Sequence, residues 1–165
     1  GLRYMEEGLT GWSRLGTKAF RSWLMCSQAG FLVENGRVDA AASVLTAVEQ
    51  QLTSGEERLA SCWLPLARAA LHRVRDDSAA AEAELRRGVT LLQRLGARGP
   101  ELRTTCALAE LLCDDGRFDE VSAMLEPVLA FFTEGSETAD IEAAHALLDR
   151  ASERRHQGDP GRGPD

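Results

Sequence analysis

Three stretches of this 165-residue chain carry the same punctuation forty residues apart. Ala29–Leu52 reads AGFLVENGRVDAAASVLTAVEQQL, Ala69–Leu92 reads AALHRVRDDSAAAEAELRRGVTLL, and Ala109–Phe132 reads AELLCDDGRFDEVSAMLEPVLAFF. Each is an apolar-periodic segment, a break rich in Asp, Asn and Gly, and a second apolar-periodic segment. A fixed period of this length limits the fold more than composition does. One copy cannot bury its own hydrophobic face, so copies must stack and share a core. The apolar residues recur three and four apart, the spacing of one helix side. The expectation is an all-α, right-handed α-solenoid of antiparallel helix pairs with about eight helices.

The period divides the chain into a helical-repeat domain, 1–156, and a tail, 157–165, whose Gly and Pro content leaves nothing to bury and predicts disorder. Within the domain, 1–16 reads as a half repeat, 17–55, 56–96 and 97–135 as helix pairs, and 136–156 as a terminal capping helix. In the half repeat, Leu2, Met5, Leu9 and Trp12 share a helix side. Trp12 aligns with Leu52, Leu92 and Phe132, and Met5 with Leu45, Leu85 and Leu125. The chain thus opens mid-repeat, as expected of a piece of a longer protein, because a terminal solenoid unit normally has a polar outer face.

Helix ends follow from local chemistry. A helix from Thr17 to about Glu34 is expected to turn Phe20, Trp23, Leu24, Phe31 and Leu32 inward and to stop at Asn35-Gly36. Val38–Thr53 follows, then a helix from Glu57 to about Asp76 that Pro65 should kink. Asp77 or Ser78 can cap the next, Ala79–Leu95, and Pro100 suits the first turn of Glu101–Asp114. Phe118–Phe132, interrupted late by Pro127, and Ala139 to about Arg154, with Thr138 as cap, complete the series.

At the forty-residue period, Ala29, Ala69 and Ala109 align, as do Leu32, His72 and Leu112; Ala41, Ala81 and Val121; Leu45, Leu85 and Leu125; and Val48, Gly88 and Val128. A small residue in one helix and another at the start of the next let antiparallel helices approach closely, and the leucine four positions on fills the gap. This pattern resembles the tetratricopeptide repeat. The unit here is forty residues long against about 34 in that family, and the family's proline at the end of each second helix is missing. A second resemblance lies in Leu125–Gly135, LEPVLAFFTEG, followed by Glu137-Thr138-Ala139-Asp140-Ile141 and Ala146-Leu147-Leu148. This run is similar to the ending of large bacterial multidomain proteins. In these a class III adenylate/guanylate cyclase domain or a DNA-binding module precedes an AAA or NB-ARC ATPase and a long tetratricopeptide-like region. The resemblance implies a C-terminal sensor or interaction region, with the cyclase and ATPase chemistry upstream.

The residues themselves point away from catalysis. No G-x-x-x-x-G-K-[ST] phosphate loop occurs, and His72, His145 and His156 have no metal-ligand spacing, so neither a cofactor nor a metal is expected. Asp76-Asp77 and Asp114-Asp115 fall beside turns, where capping or solvated roles are the default. Cys26, Cys62, Cys106 and Cys113 form no C-x-x-C pair and read as buried thiols. Lys and Arg number 19 against 26 Asp and Glu, which disfavours a phosphate-tracking surface and hence nucleic acid. No segment approaches the roughly 20 apolar residues of a membrane span, and a cytoplasmic protein is expected.

The expected site is the concave face, lined by the first helix of each pair. Trp23, Trp63 and Arg103 occupy equivalent positions there, followed by Cys26, Leu66 and Cys106, then Gly30, Ala70 and Glu110. Trp23, Trp63, Leu66, Arg103 and Glu110 are therefore the candidate binding residues. The tryptophans either anchor a peptide or helix or plug the space between neighbouring helices. The Lys, Asn and Arg by which chaperone-tail-binding tetratricopeptide proteins clamp a carboxylate are absent. The expected function is a non-catalytic scaffold whose partner is another protein or upstream domains of the same chain. Two alternatives stand beside it: a small-molecule pocket between Trp23, Trp63 and Arg103, and self-association through Leu2, Met5, Leu9 and Trp12.

Overall fold

In the computed structural model, residues 3–4, 7–8, 10–11, 20–53, 59–134 and 138–158 are described. Leu2, Met5, Leu9, Trp12 and the tail beyond Gly158 lie outside them. Among the described residues there is no strand. Seven α-helices have defined bounds: α1 Arg21–Glu34, α2 Val38–Thr53, α3 Leu64–Val74, α4 Ser78–Leu95, α5 Arg98–Asp114, α6 Phe118–Leu129 and α7 Ala139–Gly158; one 3-10 turn, Leu59–Cys62, precedes α3.

The turns repeat with the sequence. At the end of α1 the Gly36 N–H donates to the Val33 carbonyl (2.9 Å) and the Arg37 N–H to the Leu32 carbonyl (2.8 Å). The same pair of bonds ends α3, from Asp76 to Arg73 (3.1 Å) and Asp77 to His72 (3.0 Å), and α5, from Gly116 to Cys113 (3.1 Å) and Arg117 to Leu112 (2.8 Å). This closure requires a left-handed residue after the helix. Gly36 (φ 71°), Asp76 (φ 56°) and Gly116 (φ 75°) supply it. Asp77 then caps α4, its Oδ1 accepting from the Ala80 N–H at 3.1 Å.

Burial follows the aligned columns. Ala29, Ala69 and Ala109 are 0–2 % exposed, and Ala41, Ala81 and Val121 are all 0 %; Leu45, Leu85 and Leu125 lie at 3 % or below. Val48, Gly88 and Val128 are buried as well. These residues let the two helices of a hairpin close on one another. His72 is the exception in its column, half-buried where Leu32 and Leu112 are at 2 % and 0 %.

The chain forms two compact units, Gly1–Gly88 and Val89–Asp165. In the first, α1 packs on α2 and α3, and α2 also packs on α3. Cys26, Ala29, Leu32, Ala41, Leu45, Val48 and Leu71 lie in its core. In the second, α5 packs on α6 and α7, and α6 on α7. Each unit thus contains a hairpin and a further helix laid against both of its members.

Several boundaries differ from expectation. Pro65 kinks nothing. It stands in the first turn of α3, where the helix needs no donor from it, with the 3-10 turn ahead. α6 stops at Leu129 instead of Phe132, two residues after Pro127, whose missing N–H weakens the last turn. The N–H groups of Phe131 and Phe132 reach Val128 (3.2 Å) and Leu129 (2.9 Å) instead. α5 begins three residues early, at Arg98, and α7 continues to Gly158. Phe20, just before α1, and Phe31 on it are exposed at 50 % and 44 %. Ser22, Cys26, Ala29, Leu32 and Val33 form the buried side.

Candidate functional site

The column Trp23, Trp63, Arg103 takes its place from the starts of the first helices. Trp23 lies in the first turn of α1 and Trp63 is the residue before α3. Their rings meet edge to face, centroids 6.5 Å apart and planes at 63°. Such a pair is worth about 0.5–1.5 kcal/mol beyond its buried area. Both are half-buried, and Trp63 packs against the core of the first unit, as does Ala70 one turn beyond Leu66; Leu66 itself is half-buried.

Arg103 and Glu110 belong to the second unit, both exposed on α5. The Arg103 guanidinium holds Asp140 of α7 with two bonds, Nη2 to Oδ2 at 2.6 Å and Nε to Oδ1 at 3.2 Å. Its geometry is bidentate, but with the side chains 47 % and 36 % exposed its stabilisation stays at or below about 1 kcal/mol. The tryptophan pair joins α1 to α3, and the Arg103–Asp140 pair joins α5 to α7. In each unit a residue of this column contacts the next first helix: Trp23 meets Trp63 of the same column, and Arg103 meets Asp140, which lies outside it. The structure thus brings Trp23 and Trp63 together and gives Arg103 a carboxylate partner.

Below Arg103, Cys106 is buried, its Sγ 3.9 Å from the Asp140 carbonyl oxygen. Burial pushes its thiol up to about 12, and the carboxylates of Asp140 and Glu110 add to the shift. Burial also raises the Cys113 thiol, opposed by Arg150 and supported by Asp114 and Glu110. Neither sulfur is a thiolate at neutral pH, so neither is an activated nucleophile. All four cysteines are free, with Cys62 half-buried. His72 Nδ1 lies 3.7 Å from Asp77 Oδ2, and His145 is exposed on α7; the His156 side chain is outside the described residues. Among the described residues, no group of three or more His, Cys, Asp or Glu side chains could hold a metal ion, and no helix is long and apolar enough to cross a membrane.

Sequence reasoning missed the buried ion pairs. Glu84 on α4 is 7 % exposed and accepts from Arg87; Arg68 Nη1 lies 3.4 Å from it and 2.7 Å from Glu49 on α2. Glu101 on α5 is 1 % exposed and pairs with Arg98 at 2.7 Å, and that guanidinium sits 4.7 Å over the Phe131 ring. The i,i+3 spacing of Arg98 and Glu101 was visible, but nothing local showed that the Arg98 guanidinium would lie over Phe131. On α7, Arg150 bonds Asp114 (3.0 Å) and Arg155 bonds Ser122 (2.8 Å), tying the last helix to α5 and α6.

No protein-family model, curated protein or solved structure matches the chain.

Proposed function

We propose that the chain is a non-catalytic helical-repeat scaffold of tetratricopeptide type, a right-handed solenoid that binds a protein segment. In this reading it is the C-terminal sensor or regulatory part of an ATPase-linked signalling protein, and its partner is another protein or upstream domains of the same chain. The observation that carries the scaffold reading is the recurrence of one buried small–small–large register, closed by one left-handed turn, at Gly36, Asp76 and Gly116. The Trp23–Trp63 contact uses aromatic surface that a small-molecule pocket would need, which favours the scaffold over a sensor pocket at that place.

The test is affinity capture with cross-linking, comparing the native chain with Leu66→Arg and Glu110→Arg. Both variants alter the first-helix surface and leave the tryptophan pair and the Arg103–Asp140 pair in place. Loss of one defined partner by variants with native melting supports the reading. Equal capture by all three proteins, or nucleotide turnover by the purified chain, overturns it.

A further inference from the structure

Asn35 is the chain's single asparagine, and it stands directly before Gly36. The carbon of an asparagine amide is an electrophile that the next residue's backbone nitrogen can reach, and a glycine leaves that nitrogen unhindered. Attack by the Gly36 nitrogen on Asn35 Cγ closes a five-membered succinimide. A Cγ–N bond forms as the Cγ–Nδ2 bond breaks, and the side-chain amide leaves as ammonia with the proton that the Gly36 nitrogen loses. Water then opens the ring at either carbonyl, giving an aspartyl or an isoaspartyl linkage.

The end of α1 holds both groups that must meet. Asn35 Nδ2 donates to the Phe31 carbonyl at 2.7 Å, beside the Asn35 backbone N–H at 3.2 Å. The Gly36 N–H donates to the Val33 carbonyl at 2.9 Å. Leaving group and nucleophile are thus tied to different helix carbonyls, with Asn35 at ψ 15°. Ring closure turns the Gly36 nitrogen toward Cγ, which breaks both bonds and rotates ψ away from that value.

The later turns show what each product keeps. At the equivalent places stand Arg75-Asp76 and Asp115-Gly116, neither with an amide to displace. The third turn already has aspartate before glycine, and its backbone closes as the first does. Asp115 donates to Leu111 at 3.2 Å, Gly116 to Cys113 at 3.1 Å and Arg117 to Leu112 at 2.8 Å. A carboxylate has no N–H to offer a carbonyl, so an aspartyl product at position 35 loses one side-chain bond and keeps the closure. An isoaspartyl product runs the main chain through Cβ and Cγ. The extra backbone atom displaces the Gly36 and Arg37 N–H groups from the carbonyls of Val33 and Leu32, and the α1–α2 hairpin loses its latch.

We infer that Asn35-Gly36 is a self-modification site gated by the closure of α1, locked while the helix end is intact and converted to aspartate and isoaspartate when it opens. The isoaspartyl form is the one that loosens the first unit.

The full chain is aged in mildly alkaline buffer, folded and in urea, and position 35 is followed by peptide mapping with isoaspartate detection. Conversion in urea is expected, slower by roughly ten- to a hundredfold in the folded chain because two hydrogen bonds must open first. Absence of conversion in urea, or equal rates in the two conditions, overturns the inference. Asn35→Asp should melt close to the native chain, and the isoaspartyl form, separated after ageing and refolded, should melt lower. Equal melting of these two forms overturns the latch.

Discussion

Gly30 and Gly36 lie six residues apart around the end of α1, and the same substitution should move stability in opposite directions at the two. Gly30 is inside the helix. Gly36 follows it with φ +71°. A Cβ built at either position meets nothing within 4 Å, so contact with neighbours drops out and the backbone alone decides. Gly30→Ala removes a helix-interior glycine and stabilises by about 0.5–1 kcal/mol. Ala70 already holds the equivalent place in α3. Gly36→Ala forces a Cβ into the left-handed region, at a cost of about 1–2 kcal/mol, offset in part by the reduced freedom of the unfolded chain. The net loss is about 1 kcal/mol, which places the two variants roughly 2 kcal/mol apart. In a unit of this size each kcal/mol moves the melting midpoint by about 4–8 °C. All three tryptophans, Trp12, Trp23 and Trp63, fall within the first unit, so tryptophan fluorescence during heating follows that unit. The expected result is a raised midpoint for Gly30→Ala and a lowered one for Gly36→Ala. Asp76→Gly, at the repeat position where an L-residue already occupies φ 56°, should be neutral or raise it slightly. Shifts of the same sign at Gly30 and Gly36 would refute the backbone argument.

Two further outcomes concern the second unit. Ala109 and Leu125 are both 0 % exposed, so Ala109→Leu should cost about 1–3 kcal/mol by overpacking and Leu125→Asp more, through a buried unpaired charge. Circular dichroism melts check this, and unchanged melting in both would sink the register. For Cys106 the folded thiol titrates near 12 against an ordinary value of 9.0. Its stabilising effect is therefore fully present below about pH 9 and is lost as pH rises toward 12, at about 1.4 kcal/mol per pH unit. The stability difference between the native chain and Cys106→Ala should accordingly shift against the native chain above pH 9; parallel pH profiles would contradict the burial argument.

The hairpins were legible because their requirements are local and repeat. Two helices cannot close over a large residue at Ala29 or Ala41, and a helix cannot stop in this way without a residue that tolerates positive φ, as at Gly36. What was illegible depends on neighbours the period does not specify. Phe31 and Leu71 share a column, yet one is exposed and the other buried. Pro65 looked like a kink because the apolar pattern runs on through it, whereas the helix restarts at Leu64. Glu101 gave no sign of burial: it pairs with Arg98, whose guanidinium lies over Phe131, more than thirty residues away in sequence at the same open end of the hairpin. Trp23, Trp63 and Arg103 were incompletely read: sequence alone does not distinguish a side chain facing a groove from one facing the next first helix.

That last ambiguity bears on where a partner could bind. The hairpin columns keep one chemistry in every copy because close helix approach allows little else. The side-by-side contact changes from tryptophan against tryptophan to arginine against an aspartate outside the column. Trp23, Trp63 and Arg103 are thus each engaged within the chain, and their column is no guide to a ligand. On the scaffold reading, recognition falls to the first-helix positions that neither contact uses up. In the first unit this is Leu66, half-buried and apolar, since Ala70 packs against the core. The first unit would accordingly select an apolar segment, and introducing charge at Leu66 should impair its binding.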